Sequence, residues 1–248
     1  MQLKKFVPNF ITLLNLFCGC IAVLLAVNSL FVAAAAFVFL GVFFDFFDGF
    51  FARKLNVQSE LGVQLDSLAD MVTSGLVPGI IMFKLLTMAS SSNGWQLNSW
   101  STFMQWEGYR VVPMALFGLC ITLASAYRLA KFNIDQEQQT YFKGLPTPAN
   151  TLLIISLPLI LEYQNNDTIN AIILNQWFLL ALTGFSCYLL NAKIKLFALK
   201  FKNWQFKDNA IRYIFIVLCI VLLTVLQFAA IPLIILFYII LSLLNNKN

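Results

Sequence analysis

Long apolar runs dominate the chain, and short segments with polar and charged residues separate them. Most runs are about 20 residues long, the length that a helix needs to cross roughly 30 Å of hydrocarbon. Backbone polar groups in lipid must be hydrogen-bonded internally, so such runs predict membrane-spanning helices. The pattern predicts eight spans, near Pro8–Val27, Leu30–Phe51, Leu61–Met88, Val111–Ala130, Ala149–Leu161, Ile172–Leu190, Ile211–Phe228 and Ile231–Leu244.

The composition agrees with a membrane protein, because 60% of the residues are apolar, 11% are charged and the mean hydropathy is +0.81. Soluble domains are about half apolar and about a quarter charged. The sequence contains no internal repeat and no low-complexity segment. We therefore expect an all-α, polytopic helix bundle that forms one integral membrane domain over residues 1–248.

Basic residues fall on alternate connections between the predicted spans, and such loops are retained on the cytoplasmic side. These residues are Lys4, Lys5, Arg53, Lys54, Lys131, Lys143, Lys193, Lys195, Lys200, Lys202, Lys207 and Lys247. The loop 89–109 on the other side carries tryptophans, which favour the headgroup region: Trp95, Trp100 and Trp106. We expect both termini to face the cytoplasm, most simply in a bacterial inner membrane. The net charge of +5 then indicates anionic membrane lipid rather than nucleic acid as the partner.

The residue types that are missing limit the chemistry. The five cysteines all lie in apolar runs without a C-x-x-C pair, which is typical of packing residues in a helix bundle. The sequence has no histidine, so histidine bases, nucleophiles and metal ligands are excluded. Any hydrolytic or transfer reaction must therefore use carboxylates.

Four of the eleven acidic residues lie within 26 residues of apolar sequence: Asp45, Asp48, Asp66 and Asp70. Asp45 and Asp48 are three residues apart, and Asp66 and Asp70 are four apart. Each pair therefore shares one helix face, and the short connection brings the two helices together at the same membrane depth. Carboxylates at such depth need cations, partners or a water-filled cavity.

Convergent carboxylates repel one another unless something positive lies among them. Hard divalent cations with oxygen ligands, Mg²⁺ or Mn²⁺, meet this need. A cluster of two such ions is a common means of holding a diphosphate during phosphoryl transfer. The alternative is that these acids pair only with Arg53, Lys54 and water at the membrane surface.

Small residues lie beside the carboxylates. Gly49 follows Asp48 directly, Ala52 is one turn further on, and Gly62 precedes Asp66 by one turn. Missing side chains let a bulky ligand approach the backbone, although close packing of helices is the other reading. Arg53 supplies a positive charge for phosphate oxygens or a carboxylate.

These residues together form a recognisable pattern. The string Asp45-x₂-Asp48-Gly49-x₂-Ala52-Arg53-x₈-Gly62-x₃-Asp66-x₃-Asp70 resembles the signature of the CDP-alcohol phosphatidyltransferases at every position. The resemblance implies a membrane helix bundle, often homodimeric, in which the four aspartates bind two divalent metals and the metals bind the CDP diphosphate. It also implies that Asp70 is the general base. Gly49, Ala52, Arg53 and Gly62 would contact the CDP-linked substrate.

Further segments bear on the acceptor alcohol. Residues Pro8–Gly19, Asp66–Pro78 and Gly144–Ala149 resemble phosphatidylserine synthases. One departure is Val72-Thr73-Ser74-Gly75, where those enzymes more often read Ser-Phe-Gly. The resemblance implies transfer of a phosphatidyl group from CDP-diacylglycerol to the hydroxyl of L-serine, with release of CMP. Glycerol 3-phosphate and an inositol compound are the alternative acceptors.

Basic residues after the signature could bind an acidic acceptor. Arg128 and Lys131 lie three apart at the end of the fourth predicted span, and Lys143 precedes Gly144. Each could supply the cation for a carboxylate or a phosphate, or could simply be an interfacial charge that extends to the membrane surface. A different class also remains open, because transporters too place carboxylates in membranes to bind cations.

The alternation of loops predicts that Ser91 and Asn93 face the outside and that Asn203 faces the cytoplasm. Cysteines introduced singly at these positions, in a background without the native five, can be labelled with an impermeant thiol reagent in intact cells. We expect labelling at 91 and 93, and labelling at 203 only after the membrane is permeabilised. Labelling at 203 but not at 91 would contradict the orientation.

Overall fold

A computed structural model describes residues 2–92, 105–106, 109–110, 112–134, 142–164, 166–196 and 206–245. Its side chains are described for residues 6–90, 112–134, 144–164, 166–194, 196 and 213–243. Within these ranges the helices are α1 Gln2–Val27, α2 Phe31–Lys54, α3 Glu60–Asp70, α4 Val77–Ser92, α5 Cys120–Ile134, α6 Thr147–Tyr163, α7 Asp167–Ile173, α8 Gln176–Asn191, α9 Phe206–Leu226 and α10 Ala230–Asn245.

Irregular helical turns and short strands join these helices. A π-helical segment, Met71–Leu76, continues α3 into α4, and 3₁₀ turns at Pro113–Leu119 and Gln227–Ala229 precede α5 and α10. Two antiparallel pairs of two-residue strands are β1 Gln105–Trp106 with β2 Tyr109–Arg110, and β3 Phe142–Lys143 with β4 Lys195–Leu196. The prediction of an all-α bundle is confirmed, because these two-residue strands only pair short segments between the helices.

Each predicted span contains a helix, but not every helix is long and apolar enough to cross a membrane by itself. Five stretches of the described chain are long and apolar enough to cross a membrane, or six if the pair α7 and α8, bent by 58°, counts as one. The bend lies inside the predicted span Ile172–Leu190. It has a local cause, because the side chain of Asn175 accepts hydrogen bonds from Trp177 N and Phe178 N and so starts a new helix.

The last two helices form a hairpin. By length and hydropathy alone, residues Tyr213–Leu243 could form a single membrane-spanning helix. The rings of Phe215 and Tyr238, however, lie 5.7 Å apart. In one continuous helix these residues would be separated by about 34 Å. The chain reverses at Gln227, which has a φ of 47°, so α9 and α10 are separate helices, as the sequence predicted.

The core lies where α4 and α6 pass through the bundle. Ile81, Leu85 and Leu86 of α4 and Ile154 and Ile155 of α6 are fully buried. Many large apolar side chains of α9 are exposed instead, which suits a helix whose outer face meets lipid. Between α1 and α2 the buried residues are small, and they allow the two backbones to approach closely: Ala22, Ala26, Ala34 and Ala35.

The segment before α6 is fastened to the end of α8. Gly144 N donates to Ile194 O at 2.9 Å, and Leu145 N donates to Leu189 O at 2.9 Å. Gly144 has a φ of 76°, and a Cβ there would lie 2.7 Å from Leu190 O, so the position requires glycine. This contact holds the N-terminus of α6 beside the end of α8.

Residues that predicted the orientation lie largely outside the described side chains. They are Lys4, Lys5, Trp95, Trp100, Trp106, Lys143, Lys195, Lys200, Lys202, Lys207 and Lys247, together with the labelling positions Ser91, Asn93 and Asn203. The orientation therefore stays a prediction.

Candidate active site

The site is built from matching faces of α1, α2 and α3. On α2, Asp45 and Asp48 share a face, and on α3 Asp66 and Asp70 share another, as their spacing predicted. On α1, Thr12 and Asn15 are three residues apart and are both buried. Each helix thus contributes two polar groups at the same level of the bundle.

The connection between α2 and α3 sets this level. Helix α2 ends at Lys54, and Asn56, with a φ of 52°, turns the chain while Val57 N donates to Ala52 O at 3.0 Å. Ser59 then caps α3 by accepting a hydrogen bond from Gly62 N at 3.1 Å. Because the turn is short, the acidic end of α2 lies at the same level as α3, and α1 packs against both helices.

The carboxylates converge as the sequence predicted. One oxygen each of Asp45, Asp48 and Asp66 lies within 4.8 Å of the others. Asp70 lies outside this group of three, but its charge interacts with those of Asp66 and Asp45. Asp48 is 6% exposed and the other three are half-buried, so water screens their repulsion poorly.

This arrangement fits a divalent metal. Mg²⁺ and Mn²⁺ prefer oxygen ligands, and three carboxylate oxygens at this separation can reach a common ion. Asp45, Asp48 and Asp66 would hold it, with Asp70 next to them.

Hydrogen bonds from α1 orient two of the carboxylates. Thr12 Oγ1 donates to Asp48 Oδ2 at 2.5 Å, and Asn15 Nδ2 donates to Asp70 Oδ1 at 3.4 Å. The sequence reasoning gave no site role to either residue. A signal was present, because an asparagine within an apolar membrane span needs a partner for its amide.

A cavity of about 490 Å³ opens beside Asp48 and Asp66. It is lined by all four residues predicted to contact the CDP-linked substrate, namely Gly49, Ala52, Arg53 and Gly62. The N-terminal part of α1 closes it with Pro8, Asn9 and Thr12. A Cβ at Gly62 would lie 3.2 Å from Ser59 Oγ and 3.4 Å from Asn9 Oδ1, so glycine keeps this wall thin.

Of the three residues predicted to bind the acceptor, Arg128 and Lys131 lie together, whereas the side chain of Lys143 is outside the described residues. Arg128 is 8% exposed, its charge interacts with that of Asp70, and its Nε has no hydrogen-bond partner among the described residues. Lys131 lines the same small cavity as Arg128, together with Lys193 and Asn191 at the end of α8. The side chain of Lys143 lies outside the described residues, although its backbone pairs with Lys195.

The bundle and its acidic centre define an integral membrane protein with a polar site between its first helices. A sequence model of the CDP-alcohol phosphatidyltransferase family matches residues 5–188, which include most of α1, all of α2 and α3, and the four aspartates. The chain belongs to the CDP-alcohol phosphatidyltransferase family and is a transferase.

Several relatives carry the name CDP-diacylglycerol–serine O-phosphatidyltransferase. The protein of Bacillus subtilis strain 168 is 33% identical over 172 residues, which are 68% of this chain and 81% of that protein. The protein of Methanocaldococcus jannaschii is 29% identical over 167 residues, 67% of this chain and 66% of that protein. The protein of Saccharomyces cerevisiae is 32% identical over 173 residues, 63% of this chain and 55% of that protein.

The carboxylate group predicts direct metal binding. Titration of the purified, metal-stripped protein with Mn²⁺, followed by calorimetry, should reveal binding that Asp48→Asn weakens, because one ligand charge is lost. Asp167→Asn is the matched control, since Asp167 is an exposed aspartate of α7, which packs against α6 and α8. Equal loss in both variants would contradict the assignment.

Proposed function

We propose that the protein transfers the phosphatidyl group of CDP-diacylglycerol to L-serine and releases CMP. The observation that carries this proposal is the cavity beside the three converging carboxylates, with the substrate-contacting positions of the family signature on its wall. The names of the relatives support CDP-diacylglycerol and serine as the substrates.

The cavity beside Asp48 is proposed to bind the CDP part of the donor. Its volume of about 490 Å³ is within the range of small-molecule sites. Gly49, Ala52 and Gly62 leave the wall without large side chains, and Arg53 adds a positive charge for phosphate oxygens. Two divalent ions, Mg²⁺ or Mn²⁺, held by Asp45, Asp48, Asp66 and Asp70, would neutralise the diphosphate and stabilise the departing CMP phosphate.

The side of the site toward α5 is proposed to bind serine. A buried guanidinium with an unpartnered Nε is unfavourable by itself, and a carboxylate next to it would complete its interactions. The serine carboxylate is such a partner, and Arg128 lies close enough to Asp70 for their charges to interact. Lys131 adds positive charge near Arg128, and we assign Lys143 the same supporting role.

In the proposed reaction Asp70 accepts the proton of the serine hydroxyl. The hydroxyl oxygen attacks the phosphorus that carries diacylglycerol, and the bond from that phosphorus to the bridging oxygen of CMP breaks. The electron pair of the broken bond leaves with CMP, and phosphatidylserine is formed. Arg53 and Arg128 hold the two substrates on either side of the carboxylates.

The membrane placement belongs to the same proposal. Arg53 and Lys54 end α2, and Lys131 lies in the last turn of α5, so basic residues gather at the end of the bundle where the carboxylates lie. Basic residues favour the cytoplasmic side, so we place the active site there, in a bacterial inner membrane. We also propose a homodimer, as the family resemblance implies.

The proposal predicts serine-dependent release of CMP. Purified protein is incubated with CDP-diacylglycerol, Mg²⁺ or Mn²⁺, and serine, glycerol 3-phosphate or inositol compounds in turn, and CMP is measured. We expect release with serine and its loss in EDTA. A better acceptor than serine would correct the assignment of the alcohol, and no release with any alcohol would favour a cation transporter.

Asp70 and Asp48 should fail in different ways. Asp70→Asn keeps the size of the side chain but cannot accept the serine proton, so turnover should fall about 10²–10⁴-fold while metal-dependent binding of CDP-diacylglycerol remains. Asp48→Ala should weaken binding of metal and of CDP-diacylglycerol together. Calorimetry and CMP release separate these outcomes. If Asp70→Asn loses binding as severely as Asp48→Ala, Asp70 is mainly a ligand.

A further inference from the structure

We infer that Asn15 and Thr73 form a positioning pair that sets the orientation of the Asp70 carboxylate. Asn15 lies on α1 and Thr73 in the π-helical segment that follows Asp70. Neither residue is part of the aspartate signature. This inference rests on the proposed function, because it concerns how Asp70 is held for its role in the transfer.

The contacts of Asn15 carry the inference. Its side chain is completely buried, its Nδ2 donates to Asp70 Oδ1 at 3.4 Å, and its Oδ1 accepts from Thr73 Oγ1 at 2.9 Å. A carboxylate only accepts hydrogen bonds, so the NH₂ end of the amide must face Asp70. The carbonyl end then faces Thr73, whose single hydroxyl proton has two acceptors on Asn15: Oδ1 at 2.9 Å, which is the nearer, and the backbone O at 3.2 Å.

The Thr73 hydroxyl therefore acts on Asp70 through Asn15. If the hydroxyl were absent, the buried Oδ1 of Asn15 would lose its donor, and only the 3.4 Å bond to Asp70 would hold the amide. An amide that shifted from this position would leave Oδ1 of the Asp70 carboxylate without its donor. With the pair intact, Oδ1 of Asp70 accepts from Asn15, and this bond sets the orientation of the carboxylate.

Two glycines make room for the pair at the level where three helices meet. Gly41 precedes Asp45 by one turn of α2, and a Cβ there would lie 2.8 Å from Thr73 Cγ2 and 2.9 Å from Asn15 Oδ1. Gly19 follows Asn15 by one turn of α1, and a Cβ there would lie 3.1 Å from Thr73 N. The side chains of Asn15 and Thr73 are thus enclosed in one packing arrangement.

The π-helical segment is itself held in place. Thr122 Oγ1 of α5 donates to Gly75 O at 3.1 Å, and Thr151 Oγ1 of α6 donates to Ser74 O at 2.7 Å. A π-helix shifts the register of side chains relative to an α-helix and is frequent at functional sites. These bonds fix the backbone next to Thr73, so its hydroxyl is presented to Asn15 in a defined position.

The first test compares three threonine variants in the full chain. Thr73→Val keeps the shape and loses the hydroxyl, Thr73→Ser keeps the hydroxyl, and Thr183→Val is the control. Thr183 is also a buried threonine, but its hydroxyl donates to Leu179 O within its own helix α8. We expect Thr73→Val to lower kcat for CMP release about 10- to 100-fold, with Thr73→Ser and Thr183→Val close to the unsubstituted protein.

Binding of Mn²⁺ separates positioning from a loss of structure. Among the described residues, no hydrogen bond joins Asn15 to Asp45, Asp48 or Asp66, so Thr73→Val should still bind Mn²⁺ in calorimetry and should keep its KM for CDP-diacylglycerol. Loss of Mn²⁺ binding together with turnover would overturn the inference, since Thr73 would then be needed for the fold of the whole site. Failure of Thr73→Ser to retain turnover would also overturn it.

A double substitution tests whether Thr73 acts through Asn15. Asn15→Leu removes the amide, and adding Thr73→Val to it should lower kcat no further, because the hydroxyl has lost the group that it orients. Effects that multiply would show that the residues act independently, which would overturn the inference. If the unsubstituted protein releases no CMP with any alcohol, the proposed function fails and the inference falls with it. If that protein is active and Thr73→Val matches it, only the inference fails.

Discussion

The repulsion among four carboxylates held at one depth of an apolar helix bundle governs the rest of this structure. Three of them bring oxygens within 4.8 Å of one another, and Asp70 lies beside them. In a medium of low dielectric constant, such charges need hydrogen-bond donors and cations close by. The surrounding elements meet this need in separate ways: α1 contributes donors, α2 and α5 contribute arginines, and the carboxylates themselves fit a divalent ion.

Close approach of the backbones is the second requirement, because short side chains such as Thr12 can reach a neighbouring helix only over a small distance. Small residues provide this approach. Buried alanines let α1 and α2 approach closely at one end, and Gly19 and Gly41 leave space next to the carboxylates. The absence of side chains at Gly49 and Gly62 has the opposite effect and opens the cavity. Some glycines of the bundle thus allow helices to pack closely, and others leave the cavity open to a ligand.

The proposed division of the site follows from the order of the helices. The proposed donor cavity lies on the side of α1 and the α2–α3 turn, whereas Arg128 approaches Asp70 from α5. Asp70 ends α3 at the start of the π-helical segment, between these two sides. A group that must accept a proton from one substrate while the other is held nearby is well placed at such a boundary.

The sequence by itself determined the helices, the shared faces of the aspartate pairs and the family, because helix length, residue spacing and the aspartate signature are local properties. It also identified Gly49, Ala52, Arg53 and Gly62, which the fold brings to one cavity wall, although their roles remain proposals. It did not identify the bonds of Thr12 and Asn15, the burial of Arg128 or the break before α8. The break had a local signal in Asn175, which the long apolar pattern obscured. The other features depend on how far each helix is rotated and shifted against its neighbours, and only the packing of distant segments fixes these quantities.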